Sequence, residues 1–236
     1  MVFAALADLV LPAACAGCGA ERVRLTYGTC VACVTALESL RPGAARPSPP
    51  PAGFPDCVAV GPYAGSLRGA LLAYKEKGRH RLARPLGTLL AGAVATLAPR
   101  DRPVTLVPVP STAAARRERY GDHMARLADH AARRLRAAGY RVNVVQPLRA
   151  LPRPDSTSLE ASERATVAVN SLRMMPRISN PLRDERSRGT LVVADDIVTT
   201  GATLAAVARR LEEADMQVTG AAVLAATKLR KVRPGI

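Results

Sequence analysis

Residues 191–203, LVVADDIVTTGAT, constrain the fold of this chain more than any other stretch. Leu191 to Ala194 reads as a buried strand, with Asp195 and Asp196 standing at its carboxyl end. Ligands of open α/β sheets bind at that end of the strands. Ile197 to Thr203 follows as a small-residue loop rich in hydroxyls, and Leu204, Val207, Ala208 and Leu211 fall at helical spacing beyond it. Backbone N–H groups at such a helix start, joined by the hydroxyls of Thr199, Thr200 and Thr203, suit a phosphate dianion. Gly201, next to Ala202, lets the backbone approach a ligand with no Cβ in the way. The two carboxylates are placed to accept hydrogen bonds from vicinal hydroxyls. A sugar with a phosphate at one end and a diol at the other meets both demands.

An apolar strand ending in two acids is also the magnesium-binding strand of P-loop ATPases. That fold needs G-x-x-x-x-G-K-[ST], and no Gly-Lys pair occurs in the chain. The dinucleotide fingerprint G-x-G-x-x-G is absent as well. The remaining alternative is a merely structural strand–turn–helix.

Around this motif the apolar residues alternate between two periods. CVAVG (57–61), VTLVPVP (104–110), VNVV (142–145) and VTGAAVLAAT (218–227) read as further strands. Leu86, Leu89, Leu90, Ala93, Val94 and Leu97 share one helix face, and Met124, Leu127, Ala128, Ala131 and Leu135 share another, which stops near Gly139. Strands alternating with helices predict an α/β fold with a mostly parallel sheet flanked by helices. The polar stretch 149–189 carries no obvious element. Aromatic residues make up only 3% of the chain, so the core must rest on Ala, Val and Leu.

Four of the five cysteines precede this alternation. Cys15, Cys18, Cys30 and Cys33 form C-x2-C-x11-C-x2-C, a spacing that suits tetrahedral Zn2+. Four thiolates leave no open position for water, so the expected role is structural. An iron–sulfur cluster is the alternative use of the same ligands. Cys57 opens a strand and reads as a small buried residue. RPGAARPSPPPAGFP (41–55) holds six prolines and no period of either kind, which reads as a stiff linker. The expected division is therefore a four-Cys module at 1–40, a Pro-rich linker at 41–56 and an α/β domain at 57–236.

The formal charge is +15, and nearly all of the excess lies in residues 61–190, with 24 basic against 10 acidic side chains. Such a field attracts nucleotides, pyrophosphate or nucleic acid without choosing among them, and solvated Arg-rich helix faces would give the same count. No run of 18 apolar residues exists. The start, MVFAALADLVLPAAC, has no basic residue before Arg22 and is interrupted by Asp8, so it reads as a short apolar helix and not as a secretion signal. A cytoplasmic location is the expectation.

Residues 191–203 resemble the phosphoribosyl pyrophosphate motif of type I phosphoribosyltransferases. Extended outward, the chain resembles the ComF family of competence-associated proteins, which pair an N-terminal four-Cys zinc module with such a domain. LPAACAGC (11–18), CVAC (30–33), LLAYKEKGRHRLARPLGTLLA (71–91) and LVPVPS (106–111) carry that likeness together with the final motif, over most of residues 10–228. The resemblance implies that Asp195 and Asp196 bind the ribose hydroxyls and that Thr199, Thr200, Gly201, Ala202 and Thr203 cradle the 5′-phosphate. Ser111 and Thr112 resemble a pyrophosphate loop, with Arg116, Arg117 and Arg119 following as cations for the diphosphate or as solvated surface residues. Mg2+ accompanies phosphoribosyl pyrophosphate in that superfamily. Arg149 to Asn170 resembles its mobile loop, in which Arg164 and Asn170 match an R-x5-N pattern. Lys75, Lys77 and Arg79 belong to a basic segment expected near the pocket rim.

The sequence departs from the family where RYGDHM (119–124) replaces Arg-Gly-Phe-Asn-Gln, and where Thr157 and Ser158 stand near the expected loop Gln. His123 falls in the first departure and reads as a cap or surface residue. Two functions follow from the resemblance. One is transfer of the phosphoribosyl group to an unknown acceptor. The other is a non-catalytic accessory role in DNA uptake, binding nucleotide or single-stranded DNA together with a DNA-processing protein partner.

Overall fold

The computed structural model describes residues 14–152, 169–175 and 189–227. A short hairpin comes first, β1 (Leu25–Thr26) and β2 (Thr29–Cys30), followed by α1 (Val31–Glu38). After β3 (Gly43–Ala44) come β4 (Cys57–Pro62), α2 (Gly65–Glu76), a 3₁₀ turn (His80–Leu82) and α3 (Ala83–Leu97). The chain continues through β5 (Val104–Pro108), α4 (Ala113–Glu118), α5 (His123–Ala137) and β6 (Val142–Val144). A pair of three-residue strands, β7 (Leu148–Ala150) and β8 (Leu172–Met174), precedes β9 (Thr190–Val198), α6 (Ala202–Glu212) and β10 (Gly220–Ala226).

The central sheet has the order β3-β4-β10-β9-β5-β6. Every pairing in it is parallel except β3 with β4 at one edge. The fold is thus the mixed α/β architecture expected, a mostly parallel sheet flanked by helices. On one face α2, α3 and α5 bury Leu71, Leu90 and Leu127 against Val192 and Ala194 of β9. On the other face α6 buries Leu204, Val207 and Leu211 against Val193 and Val223. The sheet centre is β10, GAAVLAA, in which every residue is buried. Small side chains fill the space where the scarce aromatics are missing, and Tyr74 is the largest fully buried side chain.

Three local features differ from the sequence expectation. The strand that opens the key motif does not end at Ala194; β9 runs on through both acids to Val198, because β10 pairs with it as far as Ala226↔Val198. The stretch 149–189 contributes β8, paired antiparallel with β7, and their Leu148 and Leu172 are buried beside α6. The Pro-rich stretch contributes β3, which adds to the sheet edge at Gly43↔Ala59 and Ala44↔Val58, positions free of proline. The N-terminal apolar helix, Thr157, Ser158 and Arg164 lie outside the described residues. No helix of the described residues is long and apolar enough to cross a membrane.

Candidate functional site

The strand β5 ends at Pro108, opposite Ala194 within the longer β9, and Val109 N–H donates to the Ala194 carbonyl at 2.8 Å. That places the turn containing Ser111 and Thr112 beside the acids of β9. Because strand residues alternate between faces, neighbouring acids point to opposite sides of the sheet. Asp196 shares the face of Val192 and Ala194, toward α2 and α5, and only 4% of it is exposed. Asp195 lies on the α6 side and is half-buried; its Oδ1 accepts from Asp196 N–H at 2.8 Å.

Asp196 is held by two side chains. Lys75 Nζ lies 2.9 Å from Oδ2, and His123 Nε2 lies 3.0 Å from the same oxygen. Burial acts to raise the Asp196 pKa, but the His123 hydrogen bond and the Lys75 charge outweigh it, so the carboxyl stays below its ordinary value. On the other side of the ring, Ser111 Oγ lies 3.3 Å from Nδ1. An Arg119 guanidinium nitrogen lies 3.5 Å from the same Nδ1. Tyr74 closes the network from below, its hydroxyl donating to the His123 carbonyl at 2.8 Å.

His123 is therefore no surface residue. It opens α5 just after the N-cap Asp122, only 7% exposed, and joins the turn after β5 to the end of β9. Lys75 also sits deeper than a rim position, with its ammonium on Asp196 and 22% of its side chain exposed. Neither contact is visible in sequence spacing, since His123 and Asp196 lie 73 residues apart. The one available signal was a His replacing Gln in a segment directly before an amphipathic helix.

The loop after β9 leads directly into α6. Thr199 and Thr200 are exposed, Ala202 and Thr203 half-buried, and Gly201 adopts a left-handed φ of 79° at the start of α6. The N-cap Gly201 has no side chain to offer that helix start, and the Ala202 N–H donates to the Thr200 hydroxyl at 3.4 Å. A Cβ at Gly201 would fall 2.6 Å from the Phe54 ring and 2.9 Å from Pro47, so the Pro-rich stretch rests directly on this loop. On the β5 side, the Thr112 hydroxyl accepts from Ala115 N–H at 3.2 Å and caps α4. Arg116 is half-buried and Arg117 exposed on that helix. Lys77 is exposed, and Arg79 turns away to donate to the Ala14 carbonyl at 2.6 Å. Asn170 is exposed, and the neighbouring Val169 carbonyl accepts from Arg210 at 3.1 Å.

The four N-terminal cysteines converge independently of the sheet. Cys15, Cys18, Cys30 and Cys33 place their sulfurs within 4.8 Å of one another, and none forms a disulfide. Four Zn–S bonds of about 2.3 Å in a tetrahedron require sulfurs about 3.8 Å apart. Cys18 and Cys30 Sγ are separated by 3.8 Å, which fits. Donors already face the sulfurs, as thiolate ligands require: Cys30 N–H to Cys15 Sγ at 3.2 Å and Ser66 Oγ to Cys33 Sγ at 3.2 Å. Burial acts to raise the Cys15 thiol, but the N–H groups of Cys30, Cys18 and Gly17 prevail and bring it down to about 6. The cluster is compatible with structural zinc. Cys57, buried on β4, is pushed up to about 12 by burial, with the Asp195 charge adding to it.

The match to known proteins agrees with this geometry. No curated protein matches the chain. Residues 121–234 match the phosphoribosyl transferase domain, a span that runs from the start of α5 through β9, its threonine-rich loop, α6 and β10, and so the chain carries a phosphoribosyl transferase domain behind a four-cysteine cluster.

Proposed function

We propose that the carboxyl ends of β5 and β9 bind phosphoribosyl pyrophosphate, or a closely related ribose 5-phosphate, and present it for transfer to an acceptor. The observation that carries this reading is the loop Thr199–Thr203, which enters α6 through a left-handed glycine inside the matched domain. A helix start offers N–H donors and a favourable dipole to a phosphate. Asp195, half-buried on β9 beyond the end of β5, is the acceptor for a ribose hydroxyl; Asp196 completes the pair from beneath, its charge balanced by Lys75. Ser111 and Thr112 border the diphosphate, with Arg116, Arg117 and Arg119 as nearby cations.

Hard oxygen donors are present for Mg2+, which takes one or two carboxylates and keeps substrate phosphates and water as its other ligands. Asp195, half-buried where Asp196 is almost fully buried, is the more accessible of the two for that role. When bound, the ion would neutralise diphosphate oxygens. Transfer would break the bond from C1 to the diphosphate oxygen, which leaves with the electron pair, and form a bond from C1 to a nucleophile. Positioning of the sugar and the positive charge of the α4 arginines would supply the acceleration.

Calorimetry with phosphoribosyl pyrophosphate and magnesium tests the reading. Wild type should bind, and Thr200→Val/Thr203→Val should lose at least tenfold in affinity. A flat titration for the wild type would sink the proposal. Diphosphate release in the presence of a panel of bases and amines then tests turnover.

A second reading is favoured by one observation, the four-cysteine cluster that precedes the α/β sheet and packs on α2. That order of parts is the ComF arrangement, and it supports a non-catalytic accessory role in DNA uptake, inside the cytoplasm, with nucleotide or single-stranded DNA and a DNA-processing protein as partners. Gel shifts on single-stranded DNA across a salt series distinguish it, since backbone contacts weaken steeply with salt. Diphosphate release without DNA binding would exclude it.

A further inference from the structure

A cavity lies where the cysteine module meets the sheet domain. It encloses about 870 Å³, and its walls include Tyr27, Arg79, His80, Arg81, Arg84 and His130. That volume is typical of small-molecule sites. None of its lining residues belongs to the turns after β5 or β9.

Three properties of this groove point to a ligand. The first is unbalanced charge. No lining residue is acidic, and among the described residues Arg79, Arg81 and Arg84 make no ion pair. Three guanidinium groups around one concavity repel each other and focus a positive potential into it. The two histidines add no charge to it: burial and Arg126 hold His80 below its ordinary pKa, and burial with Arg133 and Arg84 does the same for His130, against Asp129. His80 Nδ1 accepts from Arg126 at 2.8 Å.

The second property is a strained aromatic. Tyr27 and Gly28 form the two-residue turn between β1 and β2, with φ of 51° and 87°. Such turns favour Asn, Asp or Gly at both positions, and a bulky side chain there is an outlier. This chain puts a tyrosine at the tip, 43% exposed, with the Arg84 guanidinium 4.9 Å from the ring centroid. The third property is the pairing of these two features across one cavity. A flat apolar ring and a cluster of guanidinium groups together match a base and its phosphates.

We propose that this groove binds a nucleoside polyphosphate, the base against Tyr27 and the phosphates on Arg81, Arg84 and the outer face of Arg79. A single nucleotide fits better than a nucleic-acid strand. Non-specific strand binding stacks successive bases on successive large aromatic rings, and Tyr27 is the one Phe, Tyr or Trp side chain in the lining.

The test is calorimetry of the full, metal-loaded chain with ATP, inorganic tripolyphosphate, adenosine and oligothymidylates of increasing length. ATP should bind, tripolyphosphate should compete with it, and adenosine alone should bind at least tenfold more weakly. Arg81→Ala/Arg84→Ala should weaken ATP at least tenfold while leaving phosphoribosyl pyrophosphate binding unchanged. Thr200→Val/Thr203→Val should do the reverse, so failure here and failure of the sugar-phosphate reading are separable. If the double arginine variant melts lower than wild type, Arg81→Glu alone, at an exposed and unpaired position, carries the test. No ATP binding, ATP binding indifferent to the groove charges, or ATP binding lost with the threonines would overturn the proposal. Oligothymidylate affinity that rises with length and exceeds that of ATP would replace it with a strand interface.

Discussion

The two ends of α2 hold two polar centres of opposite construction. At its start, Ser66 donates to Cys33 and Gly69 packs against the backbone of Gly17, so the cysteine module is fastened to the helix. At its end, Tyr74 reaches the His123 carbonyl and Lys75 reaches Asp196. The first centre is a set of sulfur ligands whose convergence is compatible with structural zinc. The second is a set of charges and hydrogen bonds that satisfy each other without help. One helix thus joins a centre suited to an added metal and a centre whose groups satisfy each other.

That contrast predicts the largest effect at the cysteine end. Structural zinc sites contribute on the order of 10 kcal/mol to the folding of small metal modules. Cys30→Ser should abolish stoichiometric zinc, read by metal analysis, and unfold the module, read by loss of its amide resonances. The sheet domain should melt as a separate, lower transition because α2 loses its partner. A zinc-free chain with an unchanged melting curve would break the comparison.

At the other end, Asp196→Leu removes the carboxylate from beneath Lys75 and His123. Stranding one partner of a buried ion pair costs about 3–5 kcal/mol; Lys75 keeps some contact with water, so a loss of about 3 kcal/mol is expected in urea denaturation. Removing both charges, as Lys75→Met/Asp196→Leu, should recover most of it. The pH dependence follows from the depressed pKa of Asp196. Its folded value lies below the unfolded 3.8, so its contribution is complete above 3.8 and is lost as pH falls through the folded value. The stability gap between wild type and Asp196→Asn should therefore be widest at neutral pH and shrink on acidification below that point. A constant gap would place the stabilisation elsewhere.

Gly69→Ala tests the joint between the two centres. A Cβ there would overlap the Gly17 carbonyl oxygen, a backbone atom that cannot swing aside. Overpacking of this kind costs about 1–3 kcal/mol, and it should lower the melting temperature without changing zinc content.

How much of this was legible in the chain depends on whether a feature is local. The strand at Leu191–Ala194, the helix on Leu86–Leu97 and the cysteine spacing are local patterns, and each appears where its pattern stands. The continuation of β9 through Asp195 and Asp196 is not local. Asp is a poor strand residue, and only pairing with β10 keeps the backbone extended there. Helix α2 has a local pattern too, with Leu67, Ala70, Leu71 and Tyr74 on one face, but the reason for its Gly69 is a contact 52 residues back along the chain. The Lys75–Asp196–His123 network joins three elements that only the folded sheet brings together. The cysteine end of α2 was thus readable and the charged end was not, because ligand spacing is written along the chain and charge pairing across it.

The smallest expected effect lies at the tip of the β1–β2 hairpin, on the cysteine side of α2, where two terms oppose each other. Tyr27 holds a left-handed φ of 51°, which costs a bulky side chain roughly 1 kcal/mol relative to Asn or Gly. Its ring in turn receives the Arg84 guanidinium, a contact worth about 0.5–1 kcal/mol at an exposed site. Tyr27→Asn removes both and should change stability by less than about 0.5 kcal/mol. Arg84→Ala removes only the favourable term and should destabilise by about 0.5–1 kcal/mol. On the Arg84→Ala background, Tyr27→Asn should then stabilise by about 1 kcal/mol, because only the strain is left to relieve. Urea denaturation of the four proteins closes this cycle. If Tyr27→Asn stabilises equally in both backgrounds, the ring and the guanidinium are not coupled, and the hairpin tip is merely strained.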